Sequence, residues 1–255
     1  MYQYIVLLLV CYSAVNAGPI NLFLNATIDD QPNLEIIDGD IAFEAGKAPA
    51  LGSERNAYIQ ASKWTGGSIP YLIDGGVYTA AQIQTIKNAM LRIEQQTSSC
   101  IRFVPRTNQP TWIRIFPGSG CWSYMGRTKT SGAQDLSIAT PGCAYQDIVM
   151  HELIHAAGFA HEQTRPDRES HVTINYNNIQ SGTESNFQRY LTTQADTLGR
   201  AYDYASIMHY KSTAFSKNGQ ATITAKNGVS AATLGSSKEM TTLDVQKLRA
   251  YYGCA

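Results

Sequence analysis

Ile83, Ile86, Met90 and Ile93 recur at intervals of three and four, which in a helix lines them along one face behind Thr79 as N-cap. The spacing predicts a first core helix. Ile101 to Val104, Trp112 to Phe116, Cys121 to Met125 and Leu136 to Ala139 are short β-prone runs divided by Pro and Gly, and they predict a small sheet. A second helix is predicted from about Tyr145 to Ala157, stopped by Gly158. The chain then turns irregular, rich in Asn, Ser, Thr and Gly, until a last amphipathic helix from about Leu243 to Tyr252. Thr241 and Asp244 stand before it at capping-box spacing. There is no internal repeat. The order implies an α+β fold of two lobes, helix and sheet first, loops second, with the second helix between them.

The N-terminal region reads differently. Tyr4 to Val10 is almost wholly apolar, and Val15 and Ala17 supply small residues ahead of a cleavage point, so residues 1–17 read as a signal peptide and the product as secreted and extracellular. The apolar run is too short to cross a bilayer, and no later run approaches the required length. From residue 18 to about Arg55 there is no sustained period around the short Leu34 to Ile37 patch, and such a segment cannot build a core of its own. Lys47 to Arg55 has the composition of an exposed, cleavable linker that ends on a basic residue.

Charge sharpens this division. The 20 basic and 20 acidic residues cancel, which gives no electrostatic reason to expect nucleic acid or an anionic membrane as partner. Residues 1–55 nevertheless hold seven acidic and two basic side chains, so an acidic leader precedes a mildly basic body. Removing residues 1–17 takes Cys11 and leaves Cys100, Cys121, Cys143 and Cys254, an even set that suits an oxidising compartment and allows three pairings. Asn25-Ala26-Thr27 is a glycosylation sequon within the leader.

Three of the five histidines fall within eleven residues, in His151-Glu152-Leu153-Ile154-His155-Ala156-Ala157-Gly158-Phe159-Ala160-His161. In a helix His151 and His155 project from one face one turn apart and can offer two imidazoles to one ion. Gly158 lets the backbone leave the helix, so His161 can swing back as third ligand. Three neutral imidazoles leave an open, catalytic position, whereas a structural zinc would take four protein ligands. Glu152 lies where it can reach a water at that position. One Zn2+ per chain suits these donors, although copper and nickel also accept imidazole.

The stretch from His151 to Asp167 resembles the astacin metallopeptidases, within the metzincins: Phe159, Glu162, Arg165 and Asp167 stand at the family's further motif positions. Ser206-Ile207-Met208-His209-Tyr210 resembles its Met-turn, which implies Met208 as an apolar floor under the metal and Tyr210 as an oxyanion donor. The likeness continues through Trp64 to Tyr71, Ile101 to Arg106 and Gly120 to Arg127, so it covers essentially residues 56–255. It implies a metzincin-like domain with a twisted, mostly parallel sheet and two long helices in the first lobe, and the Met-turn and terminal helix in the second. It further implies disulfides Cys100–Cys254 and Cys121–Cys143, and an edge strand, Cys121, Trp122, Ser123 and Tyr124, that pairs with extended protein or peptide substrates.

On the same resemblance residues 18–55 are a propeptide, with Asp40 in Ile37-Asp38-Gly39-Asp40 as the residue that blocks the zinc. Ile37 stands where the family often has phenylalanine. An activating protease would cut at Arg55-Asn56, and the new amino group would pair with Glu162; the alternative makes Glu162 a solvated surface charge. The whole reads as a monomeric zinc endopeptidase made as a zymogen, with Glu152 as general base. Two rival readings are a catalytically dead protease-like binding domain, against which Glu152 and Tyr210 both count, and a structural metal domain, against which the open site counts.

Overall fold

The computed structural model describes residues 34–47 and 62–254. Helix α1 (Ala80–Gln96) starts at a reciprocal capping box between Thr79 and Gln82, and buries Ile86, Ala89, Met90 and Ile93. Helix α2 (Gln146–Ala156) is almost wholly buried from Val149 onward, which is why its pattern is apolar on every side except at its functional residues. Helix α3 (Thr242–Tyr252) carries the second capping box, Thr241 with Asp244. All three lie where the sequence predicts them.

The sheet is larger than the sequence predicts. Its strands are β1 (Leu34–Ile37), β2 (Ile41–Glu44), β3 (Ser68–Ile73), β4 (Arg102–Pro105), β5 (Thr111–Phe116), β6 (Cys121–Tyr124) and β7 (Gly132–Ile138), in the spatial order β1-β2-β6-β7-β5-β3-β4. Four pairings are parallel; β1 with β2 and β6 with β7 are antiparallel. The sequence predicts β7 only from Leu136, because Gly132, Gln134 and Asp135 are poor strand formers. Pairing in register with Thr111 to Phe116 makes them strand regardless.

Ile86, Met90 and Ile93 of α1, Val149 and Leu153 of α2, and Ile69, Ile113, Ile115, Leu136 and Ile138 of the sheet form one buried core. The second lobe has a smaller core around Phe187, Tyr210 and Phe215, with a short antiparallel pair, β8 (Val172–Ile174) and β9 (Ile223–Ala225). Cys100–Cys254 ties α3 to the end of α1, and Cys121–Cys143 ties β6 to the segment before α2. No helix among the described residues is long and apolar enough to cross a membrane.

Two expectations change here. The leader, read as lacking sustained structure, contributes β1 and β2; it has no core of its own and shares that of the body of the chain, with Leu34 and Ala42 packed against Trp122 and Tyr124. Strand β6 is consequently not an open edge, since Ile41 and Ala42 pair with Ser123 and Tyr124 in parallel.

Candidate metal centre

His151 and His155 project from one face of α2, and the chain leaves that helix at Gly158, whose φ of 108° is costly for any residue with a Cβ. The end of α2 is held from outside: Trp64 Nε1 donates to the Ala156 carbonyl at 2.8 Å and the Tyr252 hydroxyl to the Ala157 carbonyl at 2.9 Å. His161 follows on a turn anchored by Glu162 N, which donates to the Met208 carbonyl at 2.9 Å. The zinc motif and the Met-turn are thereby joined through backbone.

The three rings meet at their Nε2 atoms. His151 Nε2 lies 3.1 Å from that of His155 and 3.2 Å from that of His161. His151 Nδ1 donates to the Ile207 carbonyl at 2.8 Å and His155 Nδ1 to the Phe159 carbonyl at 2.6 Å. A carbonyl only accepts, so both rings carry their proton on Nδ1 and turn an Nε2 lone pair to the centre. Asp40 adds its carboxylate from the leader, with Oδ1 3.1 Å from His161 Nε2 and 3.3 Å from His155 Nε2, and Oδ2 3.3 Å from His151 Nε2. Both oxygens are buried without a hydrogen-bond partner.

Two inward lone pairs, a third imidazole and a carboxylate converging on one point fit a divalent cation, and one carboxylate with three imidazoles is a donor set that suits zinc. Burial alone would push the Asp40 carboxyl up, yet the imidazoles of His161 and His155 hold it well below the usual range. Burial pulls His161 down to about 4 and also lowers His155, with Asp40 opposing in both. At His151 burial pulls the imidazole down, but the nearby Asp40 carboxylate outweighs burial and raises it.

Glu152 is 1% exposed, and its Oε2 has no hydrogen-bond partner. Burial, and then the Asp40 charge, raise its carboxyl well above the ordinary value. Tyr210 lies with its ring 4.6 Å from that of His161, packed against Phe187 and Phe215. Its hydroxyl donates to the main-chain carbonyl of Asp38. Met208 is buried in the main core.

The leader turn is built for close approach. Gly39 has a φ of 83°, and a Cβ there would come within 2.8 Å of the Tyr210 hydroxyl and 2.9 Å of Phe215 Cζ. Asp38, fully buried, accepts from the Tyr190 hydroxyl at 2.6 Å; burial raises its carboxyl to about 7, with the Tyr190 bond opposing.

Glu162 is buried, which overturns its reading as a solvated charge. Its Oε1 accepts from Lys247 Nζ at 2.7 Å, Asp203 N at 2.8 Å and Arg165 Nη1 at 3.0 Å. A cavity of about 360 Å³ opens beside it and His161. Asn25, Arg55 and Asn56 lie outside the described residues.

Sequence reasoning did not find four contributors. Asp38 and Tyr190 meet only through folding, and Lys247 reads as an ordinary helix lysine. Asp244 is legible only as a cap, but it also accepts from Ser206 Oγ at 2.5 Å and Ile207 N at 3.3 Å, holding the Met-turn.

The family model for astacin, a peptidase family, matches residues 56–253. The zinc metalloproteinase nas-6 of Caenorhabditis elegans is 38% identical over 225 residues, which cover 88% of this chain and 60% of that protein. Blastula protease 10 of Paracentrotus lividus is 38% identical over 79% of this chain and 34% of its own length, so this chain spans under two thirds of such curated relatives. Among solved structures, high choriolytic enzyme 1, a hatching enzyme zinc-protease from Oryzias latipes, superposes with a TM-score of 0.68 at 39% identity, covering 76% of this chain and 94% of that one. With the match running from residue 56 to residue 253, across all three helices, the histidine cluster and the Met-turn, the chain belongs to the astacin family.

Proposed function

We propose that this chain is a zinc endopeptidase that hydrolyses internal peptide bonds of proteins, secreted as a zymogen with residues 1–17 as signal and 18–55 as propeptide. The observation that carries the reading is the convergence of three imidazoles, two of them with an Nε2 lone pair turned inward by an Nδ1 hydrogen bond, beside a buried carboxylate, Glu152, which has an oxygen free of hydrogen bonds. His151, His155 and His161 would hold the zinc, which supplies a Lewis acid and lowers the pKa of a water at its open position toward about 7. Glu152 accepts the proton of that water as the oxygen adds to the substrate carbonyl carbon. As the C–N bond breaks, Glu152 returns the proton to the leaving nitrogen, giving an acid and an amine. The Tyr210 hydroxyl donates to the former carbonyl oxygen as it gains charge. Its bond to the Asp38 carbonyl supports this role, since a peptide oxygen already lies within its reach.

In the uncut chain Asp40 takes the open position and β2 covers the β6 edge, so both chemistry and substrate pairing are blocked by one segment. Cleavage after Arg55 would release it and free Cys121 to Tyr124 for an extended substrate. The test is the Asp40→Ala precursor assayed on a quenched peptide before any cleavage. Activity well above the wild-type precursor is expected; equal silence would assign inhibition to steric covering alone.

A further inference from the structure

The activation scheme gives Glu162 a partner that arrives only after cleavage, the amino group of Asn56. The uncut chain already provides one. Lys247, on the buried side of α3, sets its ammonium 2.7 Å from Glu162 Oε1, and both side chains are 7% exposed. Arg165 reaches the same oxygen at 3.0 Å, but its other contacts divide it: Nε and Nη2 pair with Asp167 at 2.9 and 2.7 Å, and two donations go to the carbonyls of Arg200 and Ala201. Asp167 thus offsets Arg165, and Lys247 is the cation that balances Glu162.

The surroundings reinforce this. The cavity beside Glu162 is lined by Lys63, Arg165 and Lys247 against Glu162 and Asp196. An ammonium entering it meets three cations and two carboxylates, one of them already paired, so its electrostatic gain is small. Glu162 meanwhile joins three pieces of the site: the turn that follows His161, the Asp203 amide in the approach to the Met-turn, and α3 through Lys247.

We propose that Lys247 is the resident counter-ion of Glu162, and that this ion pair, present before any cleavage, positions the turn carrying His161. Lys247 is a positioning residue, acting on the metal ligand through Glu162. The inference rests on the peptidase reading above, and it predicts an enzyme tolerant of how its mature N-terminus is trimmed.

The experiment starts from the full precursor carrying an engineered processing site, cut to leave either Asn56 or a Gly-Ser extension ahead of it. Each product is compared by thermal melting and by kcat and KM on a quenched peptide, for the wild type, Lys247→Gln and Lys247→Arg. In the wild type the two N-termini should agree within about twofold in kcat. Lys247→Gln should melt about 5–15 °C lower and lose at least about tenfold in kcat with little change in KM, most severely in the extended form, where no amine can substitute. Lys247→Arg should restore both within about threefold. A wild-type extended form that loses more than about tenfold, or a Lys247→Gln enzyme that matches wild type in both forms, overturns the proposal. If no wild-type form cleaves peptide while the melting order holds, the peptidase reading fails and the assignment of Lys247 stands.

Discussion

Gly39→Ala should awaken the uncut precursor. The substitution puts a methyl group 2.8 Å from the Tyr210 hydroxyl and 2.9 Å from Phe215 Cζ, both closer than van der Waals contact allows. Neither neighbour yields easily, because Tyr210 is 1% exposed and packed between Phe187 and Phe215. Alanine at a φ of 83° costs about 1 kcal/mol of backbone strain, and overpacking about 1–3 kcal/mol more. The turn that delivers Asp40 is thus destabilised by about 2–4 kcal/mol, which at tenfold per 1.4 kcal/mol raises the open population about 30- to 700-fold. The assay is hydrolysis of a quenched peptide by full-length precursor in which Arg55→Gln blocks the proposed cut. Enzyme released by other means should be unaffected, since residue 39 has left. A Gly39→Ala precursor with the rate and melting temperature of the parent would show that the turn does not hold the leader as described.

Tyr210→Phe should lower kcat about 10²- to 10³-fold with KM nearly unchanged, because the hydroxyl acts on charge that develops in the transition state; a change confined to KM refutes that role. Peptide mapping without reduction should recover Cys100–Cys254 and Cys121–Cys143. Opening the first, which closes 154 residues of chain, should cost about 5 kcal/mol and the second, closing 22, about 3 kcal/mol, so the first variant melts lower. Asp244→Ala removes the acceptor shared by Ser206, Ile207 and Thr241 and should cost about 2–4 kcal/mol while weakening zinc retention against a chelator. Unaltered retention would separate the Met-turn from the metal site.

How much of this was legible depends on how local the signal was. The helices announce themselves through period and caps, and the histidine cluster through a spacing that only a helix followed by a glycine exit brings to one point. The leader strands could not be read, because Leu34–Ile37 and Ile41–Glu44 are four-residue runs divided by Asp-Gly-Asp, and they join the sheet only through the pairing of β2 with β6, about eighty residues away. Strand β3 holds a proline, and β8 and β9 are three residues each, too short for a period. The same limit applies at the site. His151, Glu152 and His155 share one helix, whereas Asp38, Tyr190 and Lys247 enter through contacts made 85 to 152 residues apart, which no local pattern encodes.

Glu152 as the base beside a metal held by three histidines is the central claim. The deciding measurement is peptide bonds hydrolysed per bound zinc, for released wild-type enzyme and Glu152→Gln. The substitution leaves all three imidazoles in place, so zinc content should stay near one per chain while turnover falls at least about 10³-fold. A fully zinc-loaded Glu152→Gln enzyme that keeps more than about a tenth of the wild-type rate would contradict the assignment and require the proton to be carried by another group.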